Sequence, residues 1–225
     1  MNSSETSPRP QRLRDAVGVA CAVLWVLAFF VTAPCPAAAQ TLSVPETEAL
    51  VRAIYFEGLP EDEARLIGAA GATRLVEMLA DPDESGAHAN ILLALGLCGQ
   101  PGAFAAIRNW ATTPRDGEID RDTFRAWQAL PFALGHLAEN DPRAVARLEA
   151  RLNDAAPGWT FRHHRGARLH RMNRRAAARA LGDTGLPEAR AALDRADQNA
   201  SDPEFVEDLR RARAAHARRA RGGAR

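Results

Sequence analysis

The chain of 225 residues has no lysine at all: its 29 basic residues are all arginine, and 28 acids leave a formal charge of +1. A chain so nearly neutral carries no overall field to draw it onto nucleic acid or an anionic membrane. Arginine suits forked contacts with phosphate or carboxylate, but in a chain so rich in alanine and glycine the simpler origin is a GC-rich coding sequence. Aromatic residues make up only 6%, and there are three cysteines. Two of these, Cys21 and Cys35, belong to a leader, which leaves Cys98 alone and rules out an internal disulfide. Stability outside the cytoplasm must then come from packing. Alternating apolar and polar runs of strand length are missing, which argues against a sheet. Also missing are G-x-S-x-G, H-E-x-x-H, a phosphate loop and paired carboxylates at a catalytic spacing. No catalytic residue, metal ligand or cofactor is assigned, and the chain reads as non-enzymatic.

Arg9, Arg12 and Arg14 precede the uncharged apolar run 16–33. Pro34 and Pro36 follow, then Ala37-Ala38-Ala39-Gln40. A basic start, an apolar run and an A-x-A site resemble a Sec-type signal peptide over residues 1–39, with cleavage between Ala39 and Gln40. The expected location is periplasmic or secreted. If the leader were kept, residues 16–33 would reach the lower limit for spanning a bilayer and would anchor the chain in the inner membrane. Prolines and the A-x-A site directly after the run favour cleavage. Cys35 after Pro34, and Cys21 with Gly18 three residues before it, do not fit a lipoprotein site.

What is present beyond the leader is a repeat. Ala94-Leu95-Gly96, Ala133-Leu134-Gly135 and Ala180-Leu181-Gly182 recur at intervals of 39 and 47 residues. Each is followed by a proline (Pro101, Pro142, Pro187), an alanine (Ala103, Ala144, Ala189) and a branched apolar residue (Ile107, Leu148, Leu193). Leucine and alanine close an apolar helical stripe, glycine is expected to stop that helix, and proline opens the next. The unit is an αα-hairpin whose small inner residues let neighbouring hairpins stack.

This pattern resembles the HEAT-repeat family, particularly short bacterial HEAT-like repeats whose second helix reads roughly V-R-x-x-A-x-x-A-L-G. Asn173-Arg174-Arg175-Ala176-Ala177-Ala178-Arg179-Ala180-Leu181-Gly182 lacks only the valine, while His88 and Trp127 stand where the other two copies would carry the arginine. The turn aspartate of the family is visible in Asp81-Pro82-Asp83. The resemblance implies an all-α fold, an α-solenoid of stacked antiparallel helix hairpins. Its expected organisation is a capping helix in 40–60, with an opening helix over 46–57, repeats over 61–201 beginning with a degenerate hairpin at 61–79, and a capping helix in 202–225 that frays into an arginine-rich tail. Eight or nine helices are expected. HEAT-like proteins also include lyase subunits that attach bilins, a fold analogy that fits export poorly.

Charge is unevenly divided. Residues 40–157 hold 10 arginines and 18 acids, and residues 158–225 hold 16 and 8. The split permits weak, salt-sensitive head-to-tail self-association. Within the basic part, Arg168, Arg171, Arg175 and Arg179 share a helix face, with Arg165 just before it. These five are the candidate site for an anion or a partner's carboxylates; the competing reading is a solvated face neutralised by acids of an adjacent hairpin. No basic–aromatic alternation points to stacked bases, so no specific nucleic acid is expected. His163, His164 and His170 lack the spacing that aims two imidazoles at one metal. Asp116, Glu118, Asp120 and Asp122 lack the glycine and closing glutamate of a calcium loop, and Asp122 is expected to cap the following helix. The reading is an exported scaffold that binds another protein, with an anionic ligand or polymer on the arginine face as the alternative.

Overall fold

The computed structural model describes residues 41–222; the leader with its Ala39–Gln40 site, and residues 223–225, lie outside the described residues. The described chain is all-helical, with ten α-helices and no strand. They are α1 Val44–Arg52, α2 Glu61–Arg65, α3 Ala69–Ala80, α4 His88–Cys98, α5 Ala103–Thr112, α6 Arg121–Leu137, α7 Arg143–Asn153, α8 Gly166–Thr184, α9 Pro187–Asn199 and α10 Pro203–Gly222, with a 3-10 helix at Pro82–Ala87 between α3 and α4.

Packing follows the repeat. Helix α4 lies against α6, α6 against α8 and α8 against α10, while α3, α5, α7 and α9 pack on this series. Leu95, Leu134 and Leu181 of the three triplets are fully buried, as are Ile107, Leu148 and Leu193 one helix later. The triplet glycines do not stop their helices. Each lies inside its helix, and a Cβ on Gly96 would overlap the carbonyl oxygen of Ala133 in the next triplet. On Gly135 it would come within 3.3 Å of the Ala180 Cβ, and on Gly182 within 2.6 Å of the Ala212 carbonyl oxygen. Glycine is there because backbone touches backbone between successive helices. The left-handed stops come later, at Gly99 after α4 and Gly185 after α8, with φ of 58° and 71°.

Three helix boundaries differ from expectation. Helix α1 starts on the reciprocal Ser43–Glu46 capping box and ends at Arg52, because Ala53 turns extended (ψ 153°) and the Asn90 amide donates to the carbonyls of Val51 and Ala53. Helix α10 does not dissolve at Arg218. It continues to Gly222, with Arg219 packed on Gly185 and reaching Glu139 at 3.5 Å, in a run of alanine and arginine that favours helix. Helix α6 is capped by Asp120 rather than Asp122: its carboxylate accepts from the backbone N–H of Asp122 and Thr123 at 2.8 Å each, which holds its pKa below the usual carboxylate range.

A second, smaller core explains the longer repeat interval. Loops 113–120 and 154–165 pair through Thr160 N–H to the Gly117 carbonyl (2.8 Å) and Ile119 N–H to the Thr160 carbonyl (2.9 Å). This brings Trp159 and Phe161 onto the first turns of α6 and α8, where Phe124 and Phe161 stack with centroids 4.1 Å apart and Trp127 meets Trp159 edge-on at 5.1 Å.

Candidate binding surface on α6, α8 and α10

Helical spacing puts Arg168, Arg171, Arg175 and Arg179 on the exposed side of α8, between α6 and α10. Three clefts run along that side. Arg168, Arg171 and Arg175 line a cleft of about 210 Å³ with Met172, with Asp202 just before α10, and with Glu204, Phe205 and Asp208 of α10. Met172 also lines a smaller one of about 100 Å³, whose walls include Trp127, Pro131 and Phe132 of α6. Phe132 in turn borders a third, of about 430 Å³, which holds Arg179, Asp183, His136, Glu139, Glu61 and Arg219. The clefts adjoin at Met172 and at Phe132, giving a groove that is apolar in its middle and charged toward both ends.

The candidate arginines fare differently. Arg175 meets Asp208 at 3.3 Å, and Arg179 meets Asp183 at 3.8 Å while its guanidinium stands 5.6 Å over the Phe132 ring. Neutralisation thus comes from α10 and from α8 itself, not from the acidic N-terminal hairpins. Arg168 and Arg171 are exposed and pair with no described acid, and neither does Arg165. Arg165 sits at the N-cap of α8 and does not line the groove.

The position that the HEAT-like pattern gives to arginine is held here by His88, Trp127 and Arg174. His88 accepts a hydrogen bond from Trp110 Nε1 (3.3 Å), Trp127 packs on Trp159, and the Arg174 guanidinium lies 3.6 Å over Phe205. In all three copies it is an aromatic contact, reached through side chains whose spacing in sequence follows no period.

Three of the four acids in the run serve the structure: Asp120 caps α6, Glu118 accepts from the Arg162 N–H at 3.1 Å, and Asp122 lies 3.8 Å from Arg125. Among the described residues no group of three histidine, cysteine or carboxylate side chains is placed to hold a metal. Cys98 closes α4 half-buried, and burial pushes its thiol up. A larger cleft of about 590 Å³ opens beside Trp110, and several of its polar groups are already engaged. Arg115 donates to the carbonyls of Trp110 and Thr113 and stacks 4.2 Å over the indole.

One buried cation escaped the sequence reading. Arg151 is 4% exposed and has no carboxylate partner; it donates to the Asn173 side-chain oxygen, and Asn173 donates back to the Arg151 carbonyl at 3.1 Å. Burial, with Arg147 nearby, pulls its pKa down to about 10. Asn173 stands at the position that the HEAT-like pattern gives to valine, and here it makes this bond. An arginine within a periodic basic helix gives no sign in sequence that it faces inward. No family model matches the chain, and no similar protein was found among curated proteins or solved structures.

Proposed function

We propose that the protein is an exported, non-enzymatic HEAT-like α-solenoid that binds another protein through the groove on α6, α8 and α10. The observation that carries this reading is the pairing of a file of arginines, Arg168 to Arg179, with the apolar strip Trp127, Phe132 and Met172. Exposed guanidinium groups beside a half-buried apolar floor suit a segment carrying both carboxylates and apolar side chains. The Gly–Ala contacts between α4, α6, α8 and α10 support a solenoid, since stacked hairpins bury a continuous core that none could bury alone. Export rests on the leader. No described helix is long and apolar enough to cross a membrane.

A second reading, capture of a polyanion or small anion, is favoured by one fact: Arg165, Arg168 and Arg171 have no described acid partner. A photo-cross-linking residue at Phe132 separates the two. Expected is a protein adduct, lost on Arg168→Ser with Arg171→Ser and not formed from Arg108 on α5. No adduct, or the same adduct from both positions, overturns the protein-binding reading. Intact mass of the exported product tests the leader, with Gln40 expected at its N-terminus.

A further inference from the structure

We infer that the occupant of this groove is a second copy of the chain, which inserts the tip between α1 and α2. The inference rests on the groove being a protein-binding surface, as proposed above.

Ile54 is 89% exposed and Phe56 101%, the two most exposed large apolar side chains among the described residues. They are not carried on a slack loop. Tyr55 between them points inward and donates to the Leu50 carbonyl (3.0 Å), Asn90 holds the carbonyls of Val51 and Ala53, and Leu59 is buried. The tip therefore presents two apolar groups that the fold itself leaves uncovered.

Its surroundings are acidic. Glu57, Asp62 and Glu63 are exposed, and the arginines on α1 and α2 are already committed, Arg52 to Glu48 and Glu84, and Arg65 to Glu61 and Glu139. An anionic leaflet would repel such a tip. The groove offers what the tip lacks: Arg168 and Arg171, which form no ion pair with a described acid although Asp202 and Glu204 line the same cleft, and beside that cleft the half-buried Met172, Trp127 and Phe132. Ile54 and Phe56 of the tip do not line the groove, and Arg168, Arg171 and Met172 of the groove do not belong to the tip, so a contact between them is heterologous, leaving a free tip on one copy and a free groove on the other.

Sedimentation of the exported protein is the test. Wild type should show a mass that rises with concentration above one chain, weakened by salt, which screens the exposed charges. Phe56→Ser alone should weaken association at least roughly tenfold. Ile54→Ser/Phe56→Ser destroys the tip and keeps the groove; Arg168→Ser/Arg171→Ser does the reverse. Each should be monomeric with an unchanged thermal melt, since all four side chains are exposed, and mixing the two should give a one-to-one dimer and nothing larger. A monomeric wild type, a mixture that stays monomeric, or a tip that binds phosphatidylcholine vesicles instead overturns the inference. If the wild type is monomeric while Phe132 still cross-links a different protein, only the self-partner falls; if Phe132 captures nothing, both readings fall.

Discussion

Helix α6 is held in two ways along its length: from Leu130 to Leu137 it lies on α4 and α8 through leucine, alanine and glycine, whereas at Phe124 and Trp127 it is clamped by aromatic side chains from loop 154–165. The first mode brings backbones together and leaves no slack, so a disturbance at one triplet is felt by the next helix. The second covers α6 with large rings on a connection that can shift. Loss there should open the loop locally before the stack yields.

The sharpest test of that difference is a pair of truncations. Leu134 is 1% exposed at the centre of the stack, so Leu134→Ala should cost about 2 to 5 kcal/mol in urea unfolding. Phe161→Ala, 9% exposed in the second core, should cost about 1 to 3 kcal/mol, because the loop can relax around the loss. Its larger effect should be faster hydrogen exchange across residues 154–165. Equal unfolding costs with uniform exchange would mean that the two cores are one cooperative unit.

A finer comparison lies within the stack. Gly96→Ala puts a methyl group into the Ala133 backbone and should cost about 1 to 3 kcal/mol. Gly182→Ala, facing the Ala212 carbonyl oxygen at 2.6 Å, should cost less. At Gly135 the nearest atom is a side-chain carbon 3.3 Å away, and the roughly 0.5 to 1 kcal/mol that alanine gains over glycine inside a helix should leave that variant near neutral. Urea midpoints in the order Gly135, Gly182, Gly96, highest first, are expected. Any other order would break the link between close approach and the triplet.

The same contrast explains what was legible in the sequence. The triplets, the buried Ile107, Leu148 and Leu193 and the candidate arginines on α8 follow helical period, and the helices run through them as read. The role of the glycines was not legible, because a stop and a close approach use the same residue; only the partner helix distinguishes them. Trp159 and Phe161 belong to no period, and their pairing with Phe124 and Trp127 depends on two loops meeting. Ile54 fits an apolar helical stripe with Leu50 and Val51, and Phe56 falls within the expected opening helix, yet the helix ends before both and they stand in solvent.

The smallest expected effect concerns pH and again separates the two halves of α6. His136 lies in the stack half, lining the groove, with its Nε2 4.0 Å from Glu61. Burial is the main influence and lowers its pKa below the usual imidazole value; Glu61, Glu139 and Asp183 oppose this, and Arg65 adds to it. The fold therefore favours the neutral ring. As pH falls, the unfolded chain takes up the proton first, near about pH 6.5, so the stability due to neutral His136 is present above that value and is lost as pH drops through the lowered folded one. The carboxylates held low by arginine, such as Glu48 and Glu84, lose their contribution only in the more acidic range below the ordinary carboxylate value, which keeps the windows apart. Between pH 7.5 and 5.5 the urea midpoint should fall slightly in wild type and stay flatter in His136→Gln. Affinity for an acidic tip should move the opposite way, because a protonated His136 adds a cation to the groove. An identical stability slope in His136→Gln would assign the change to another group, and groove affinity that fell together with stability would remove His136 from the binding surface.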